Sequence, residues 1–462
     1  MDIILLNPYF SVPKGIPNEY YAIVPLNLLY LATYLRKKRL DCKIYELGIH
    51  RTIKPVTNRF GLSNDEIEEI IKKEKPKIIG IGCMYTRHVQ DVKELITFLR
   101  KITDAKIVVG GSHVSTLGLP TADYEIQGEG EMAFYDLCKS ILSHKPVNRI
   151  IRYPLGNIDD FTLDYSLIDI KPYIEDTKIS HFLYKNHSFG VISSRGCPYN
   201  CIFCTVKNVW GRSWRPRHPE LFVKELEYLN KTYGIEEFTF LDDNISIDQQ
   251  RWITILNLIK KRLNIKWTLP NGIAHWTLTP KILKLMQEAG CYRLTFGIES
   301  GNEKTRKFIR KTHNLQQAKD LIKYSNKIGM WTNTTNVIGF PFETKKQIWD
   351  TIWWNVKSEA NFAGFYLLSP FPSSDVAQYF SQGIYNLSEE GVDTQYVTKE
   401  ELKLIQKRGY MLLLATRIFK VNLLKKIRNW EDLKFTLRMV KNGIRIIFKS
   451  ITMKNTLKLL YD

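Results

Sequence analysis

Three cysteines fall within eight residues of this sequence, in the run Arg195-Gly196-Cys197-Pro198-Tyr199-Asn200-Cys201-Ile202-Phe203-Cys204. The spacing C-x3-C-x2-C puts three soft ligands on one short loop, directly after a predicted strand, where thiolates converge on a soft metal centre. A structural zinc site takes four protein ligands, usually as two close pairs. The sequence offers no second pair, because Cys42, Cys83, Cys138 and Cys291 are scattered along the chain. Three ligands on one loop leave one iron of a four-iron cluster open, as a catalytic cluster needs. The competing readings are a zinc site and a chance grouping of buried cysteines.

Further candidates sit where predicted strands end. Asp242 and Asp243 follow one, in Phe240-Leu241-Asp242-Asp243-Asn244. Gly297, Glu299 and Ser300 close another, in Phe296-Gly297-Ile298-Glu299-Ser300-Gly301. Gly339 and Glu343 belong to Asn336-Val337-Ile338-Gly339-Phe340-Pro341-Phe342-Glu343-Thr344. For the acids and Ser300 the plain alternative is a helix cap or turn after a strand.

The elements that must carry these residues alternate. Ile3–Leu6 is a short continuous apolar run, as in a buried parallel strand. A helix is expected from Pro25 to Arg36, then strands near Lys43–Tyr45, Lys77–Gly82, Lys106–Val109 and Tyr124–Ile126, with helices between. Five strands and their helices predict an α/β, flavodoxin-like, doubly wound sheet over residues 1–145. Such sheets bind ligands at the carboxyl ends of their strands, here the loops Asn7–Tyr20, Cys83–Arg87, Gly110–Ser115 and Gln127–Gly130. Residues 146–187 have poor periodicity and are read as a connector. From Gly190 six strand–helix units follow, too few to close an eight-fold barrel, so residues 188–385 are expected to form a partial (βα)6 barrel of TIM type. Residues 386–462 read as a C-terminal helical region, Leu-rich and basic.

The cysteine loop resembles that of the radical S-adenosylmethionine (SAM) enzymes. Their signature is CxxxCxxC after the first strand of a partial (βα)6 barrel, with an aromatic before the last cysteine, here Phe203. The resemblance spans roughly Gly190 to Asp375. It implies a [4Fe-4S] cluster on Cys197, Cys201 and Cys204, with SAM's amino and carboxylate groups on the unique iron. One electron then cleaves SAM to methionine and a 5′-deoxyadenosyl radical. It implies that Asp242 and Asp243 meet SAM's ammonium, and that Glu299 and Ser300, in a segment like the family's G-x-E-S-G, are SAM or ribose ligands. The Gly339 segment looks like the family's I-G-x-P-G-E-T, whose backbone borders adenine, with Phe342 in place of Gly and Glu343 read alternatively as a cap for the next helix. Ser369-Pro370-Phe371-Pro372-Ser373-Ser374 resembles P-x-P-G-T, again without its Gly.

The N-terminal sheet joined to this barrel resembles the B12-binding-domain radical SAM proteins. Pro25-Leu26-Asn27-Leu28-Leu29-Tyr30-Leu31-Ala32 is similar to that group's P-x-G-L-x-Y-L-A, with Asn27 where Gly is common. Gly110-Gly111-Ser112-His113 and Gly128-Glu129-Gly130-Glu131 match its G-G-x-H and G-E-G-E turns. The resemblance implies cobalamin between the sheet's carboxyl edge and the barrel. No D-x-H-x-x-G motif is present, so His113 reads as a loop histidine bonded to nearby backbone rather than a cobalt ligand. Methylthiotransferases of related design carry a second cluster on their N-terminal domain. Cys42 begins a strand, Cys83 ends one and Cys138 sits inside a helix, so these three read instead as small buried hydrophobes.

Composition bounds the rest. Hydrophobic residues are 44% and charged residues 25%, which excludes wholesale disorder. No apolar run reaches the roughly 18–20 residues of a membrane span. The start, MDIILLNPYF, reads as a first strand rather than a secretory signal, and a cytoplasmic protein is expected. Of the net +20, residues from Thr416 to Asp462 carry +9, with twelve Lys or Arg against three Asp or Glu. Phe435 to Leu460 reads as a helix packed on the barrel, or as an interfacial helix on anionic lipid.

The expected activity is cobalamin-dependent methylation by a radical SAM enzyme of a small-molecule, lipid or peptide substrate, with an electron donor such as flavodoxin or ferredoxin. The alternatives are rearrangement, cyclisation or dehydrogenation with a vestigial B12 domain, and a non-catalytic cobalamin or cluster sensor. RNA modification ranks last, because the tail lacks the β-rich pattern of a small RNA-binding barrel.

Overall fold

A computed structural model describes residues 1–11, 23–48, 59–175, 183–185, 188–380, 391–418, 426–427, 429–439 and 441. Most of the loop after Asn7 and most of the run from Phe435 to Leu460 therefore lie outside the described residues. The chain divides into two compact units, Met1–Asp176 with Thr205–Arg215, and Thr177–Cys204 with Pro216–Asp462.

The first unit is built on a parallel sheet. Its strands are β1 (Ile3–Asn7), β2 (Lys43–Glu46), β3 (Ile78–Gly82), β4 (Lys106–Gly110), β5 (Tyr124–Ile126) and β6 (Ile150–Ile151), in the order β2-β1-β3-β4-β5-β6. Successive side chains of a strand point to opposite faces, so a run such as Ile3-Ile4-Leu5-Leu6 feeds two cores at once. Ile4, Leu6, Ile79, Ile81, Ile107 and Val109 pack with Ile67 and Ile71 of α2 (Asn64–Glu74) and Val92, Leu95 and Leu99 of α3 (Val89–Ile102). On the other face Ile3, Leu5, Ile78 and Val108 pack with Leu28, Ala32 and Leu35 of α1 (Leu26–Lys37) and Phe134, Leu137 and Cys138 of α5 (Glu131–Leu142). A short α4 (Ser112–Leu117) follows β4, and a one-turn α6 (Val206–Trp210) comes from the stretch Thr205–Arg215. The sequence predicts five of these strands. The sixth has two residues, too few to show a period, and comes from the stretch read as a connector.

The second unit contains the partial (βα)6 barrel. Strands β7 (Phe189–Val191), β8 (Glu237–Phe240), β9 (Lys266–Ile273), β10 (Cys291–Glu299), β11 (Trp331–Ile338) and β12 (Phe362–Leu367) are parallel and neighbour one another in chain order. Phe240 stacks on Trp267 at 4.9 Å, and Phe222 and Trp252 meet Phe240 edge-on. These rings lie at under 2% exposure and anchor the early strands to α7 (Pro219–Tyr233) and α8 (Gln249–Arg262). β9 slips register between Leu269 and Ile273, around Pro270, which has no N–H to give to a ladder. Helices α9 (Pro280–Glu288), α10 (Leu315–Lys327) and α11 (Lys345–Ser358) complete the later units.

Helix α12 (Lys399–Ile418) covers the last strand, burying Leu402, Ile405 and Leu413 with Ile352, Phe365 and Leu367. Phe435 and Met439 bury against Tyr184, Tyr292 and Trp331. Among the described residues no helix is long and apolar enough to cross a membrane.

Candidate active site and cofactor-binding edge

The cysteine loop leaves β7 and is held from β8. The Ser193 amide donates to both oxygens of Asp242, at 3.2 and 3.1 Å, and Ser193 Oγ donates to Oδ1 at 2.8 Å. Ser194 Oγ also donates to Oδ1. Burial drives the Asp242 carboxyl above its usual range, against these bonds. Its neighbour Asp243 accepts from the Gly196 amide at 3.0 Å. Gly196 has φ +88°, a left-handed conformation suited to glycine, and it turns the chain just ahead of Cys197. Both acids therefore hold the loop.

Beyond the turn, Cys204 N donates to Cys201 O at 3.1 Å, and Ile202 is clamped by bonds to Ile309 O and from Val376 N. Burial, with neighbouring Cys201 and Asp243, raises the Cys197 thiol above its usual range. None of the three cysteines is in a disulfide. Among the described residues no three His, Cys, Asp or Glu side chains are gathered to grip one ion. Three thiols on one loop are the donor set that fits three irons of a [4Fe-4S] cluster and leaves the fourth to SAM.

At the end of β10, Glu299 has φ +66°, which costs a non-glycine residue about 1–2 kcal/mol. Its Oε1 accepts from Lys311 Nζ at 3.0 Å, and both side chains are about nine-tenths buried. The pair lies over Gly297, where a Cβ would come within 2.9 Å of Nζ and 3.0 Å of Oε1. A side chain at Gly297 would displace the tips of the pair. Lys311 Nζ stands 5.8 Å from the Trp276 ring centre. Trp276 Nε1 donates to Tyr199 OH at 2.7 Å, and its ring stacks on His313 at 3.3 Å between centres. Tyr199 belongs to the cysteine loop, so ends of β7, β9 and β10 meet here. Burial opposes charge on Lys311, yet Glu299, Cys201 and Cys197 together hold its ammonium above the usual range. Burial, reinforced by Lys311, pushes neighbouring His275 down to about 3, so its ring is neutral. Sequence reasoning missed Lys311, Trp276 and His313.

Ser300 is fully buried, 3.1 Å from Thr351 Oγ1, and accepts from Asn302 N at 3.1 Å. It joins the loop to α11. Gly339, at φ +91°, donates its amide to Glu343 Oε2 at 2.8 Å, and Phe340 N adds a second bond at 3.3 Å. Glu343 is 1% exposed, and burial lifts its carboxyl to about 7. It folds back on the turn, and the cap of α11 is Thr344, in a reciprocal box with Gln347.

In the first unit the candidate residues gather along the carboxyl edge of the sheet. Pro25 precedes α1. A Cβ on Gly82 would come 2.8 Å from Asn27 Nδ2. Gly111, at φ +112°, lies so close to Cys83 that a Cβ would fall 2.6 Å from the Cys83 carbonyl oxygen. Ser115 Oγ links Gly111 O to Gly128 N, at 3.0 and 2.9 Å. Gly130 leaves room for Leu31. His113 N bonds to Cys83 O, and Nδ1 lies 3.0 Å from Thr86 Oγ1. Burial, with Lys93, holds that ring below its usual pKa. Gly82, Gly110, Gly111 and Gly128 put residues without side chains at the strand ends, where backbone can approach a large planar ring. Glu129 of the same edge pairs with Arg215 at 2.6 Å and accepts from Gly156 N at 3.1 Å.

Among the described residues the other cysteines belong to no metal-holding group. Burial raises the Cys42 and Cys83 thiols to about 12, and pushes Cys138 and Cys291 up as well.

The family model of the radical SAM superfamily matches residues 191–354, and that of the B12 binding domain matches residues 18–138. An uncharacterized methyltransferase of Pyrococcus horikoshii is 29% identical over 84% of this chain and 87% of its own length. The cytidylyl-2-hydroxyethylphosphonate methyltransferase of Streptomyces wedmorensis is 28% identical over 73% of each. Among solved structures, the radical SAM methyltransferase TsrM from Kitasatospora setae, with cobalamin and a [4Fe-4S] cluster, superposes with a TM-score of 0.63 at 16% identity, covering 81% of this chain and 74% of that one. The cobalamin-dependent radical SAM enzyme OxsB gives 0.68 at 16% identity, over 96% and 71%. The chain is a B12-binding-domain radical SAM enzyme, whose two domains take cobalamin and, with SAM, a [4Fe-4S] cluster.

Proposed function

We propose that this enzyme methylates an unactivated carbon of a small molecule, drawing on both cofactors. The observation that carries the reading is the presence on one chain of a three-thiol loop at the mouth of a partial barrel and a glycine-bared sheet edge in a B12-binding domain. Its relatives in Pyrococcus and Streptomyces, which it matches along most of their length, are methyltransferases by name.

Cys197, Cys201 and Cys204 hold the cluster. Asp242 and Asp243 fix the backbone that presents them, so their part is loop positioning rather than contact with SAM's ammonium. Glu299 keeps Oε1 on Lys311 and offers Oε2 to the SAM amino group. The Gly297 and Gly339 backbones border the nucleoside, and Ser300 holds the turn. Pro25, Asn27, Gly110, Gly111, Gly128 and Gly130 shape the cobalamin edge, and His113 stays neutral and bonded to the protein. When bound, these groups supply an electron that cleaves SAM and a methyl group that is passed to the substrate. The electron comes from a low-potential carrier of the flavodoxin or ferredoxin class.

The test uses protein loaded anaerobically with iron, sulfide and cobalamin, a reductant, SAM labelled as CD3, and a small-molecule extract of the source cells. S-adenosylhomocysteine and 5′-deoxyadenosine should form in about equal amounts with a CD3-bearing product. Turnover that needs no cobalamin and yields 5′-deoxyadenosine alone would show that the B12 domain is vestigial.

A further inference from the structure

The Lys311 ammonium is joined to the cysteine loop by a chain of described contacts. Its segment is tied to that loop by the bond from Ile202 N to Ile309 O, at 3.4 Å. Its charge is fixed in place by Glu299 at 3.0 Å and by the Trp276 face, which itself holds Tyr199 between the first two cysteines. At about one-tenth exposure, little water screens it. The lysine charge and the Cys197 and Cys201 thiols act on one another electrostatically.

The geometry points to Lys311 as a positioning residue that sets the cluster's reduction potential. This rests on the cluster being held by Cys197, Cys201 and Cys204. A [4Fe-4S] core in its resting state with three thiolates carries one net negative charge. One electron, delivered by a low-potential carrier, makes that two, and no proton need move. A buried cation beside the thiolates favours the more negative state, so the lysine makes the cluster easier to reduce. Glu299 moderates this by partly cancelling the charge.

The experiment is a mediated redox titration, followed by electron paramagnetic resonance, of the full-length protein without SAM. It compares the parent with Lys311→Met, Lys311→Arg, Glu299→Gln and the double variant Lys311→Met/Glu299→Gln. Iron and sulfide content is measured on each sample. Lys311→Met should lower the ratio of reduced to oxidised cluster at a given potential by tenfold to a hundredfold, a shift of about 60–120 mV to lower potential at 59 mV per tenfold for one electron. Lys311→Arg should stay close to the parent, and Glu299→Gln should shift the opposite way. The double variant removes the pair without stranding a buried carboxylate, and should still titrate below the parent if the lysine is the larger influence on the thiols, as it is on Cys197. Unchanged potentials in the loaded Lys311→Met and double variants would overturn the inference. So would equal loss of cluster in Lys311→Met and Lys311→Arg with no shift in what remains, since that is what a packing role predicts. A parent protein that binds no four-iron cluster would instead overturn the cluster assignment itself.

Discussion

Asp243 accepts the amide proton of Gly196 at 3.0 Å, one residue before the first cluster thiol. The second barrel strand thus sets where the first strand's loop begins. A carboxylate that accepts a backbone N–H is worth roughly 1.5–3 kcal/mol. Asp243→Ala should therefore lower iron retained per chain after desalting, while Asp243→Asn, which still offers an oxygen, retains more. Full iron in the alanine variant would show that the loop holds without this bond.

Cys201 sits centrally in the loop, and its replacement would leave the proposed cluster only two of its three ligands. Cys201→Ala should abolish the visible cluster absorbance and SAM cleavage together. A full iron and sulfide complement in that variant would move the cluster to other residues.

Glu299 commits Oε1 to Lys311, and the proposed function gives its other oxygen to SAM. Glu299→Gln should weaken SAM binding by about 10- to 100-fold, the size of one charge-assisted contact, with iron content unchanged. Anaerobic equilibrium dialysis reads this directly, and parental affinity would confine Glu299 to a structural part.

Glu343 gives a pH signature. Folded, it keeps its proton to about pH 7, against an ordinary value of 4.5. Folding takes up a proton between those values. The stability from this group is present in full below pH 4.5 and is lost as pH rises through 7, with a slope of at most about 1.4 kcal/mol per pH unit. Glu343→Gln can accept the same two amide bonds without the charge. Its thermal midpoint should gain on the parent from pH 5 to pH 8, and parallel curves would contradict the raised carboxyl.

Legibility in the sequence followed the range of the interaction concerned. The cysteine loop is readable because its ligands must be close in sequence to share one cluster. Runs such as Ile3–Leu6 and Lys77–Gly82 are readable because a strand buried on both faces is apolar at every position. Asp242 was legible as a residue of note, but not its task, because the serines it binds lie about fifty positions earlier. Lys311 is one of 67 basic residues, and nothing local separates it from the exposed ones beside it. Its partner Trp276 is on another strand's loop. Glu343 looked like a cap because it precedes a helix; its burial against Gly339 is a matter of tertiary packing.

Residues Thr205–Arg215 belong with the first unit although they follow the last cluster cysteine. Arg215 pairs with Glu129, Asn208 O takes a bond from Arg152, and Val209 O lies against Gly128. The B12-binding half is therefore assembled from two stretches separated by the first barrel strand and the whole cysteine loop. On a ribosome, where domains generally fold in order of synthesis, this half lacks its last piece until Arg215 has emerged. Glu129 cannot pair with Arg215 until then. The order of synthesis thereby makes the thiol loop a prerequisite for the finished N-terminal domain, and a fragment ending at residue 176 would lack the partner of its own acidic turn.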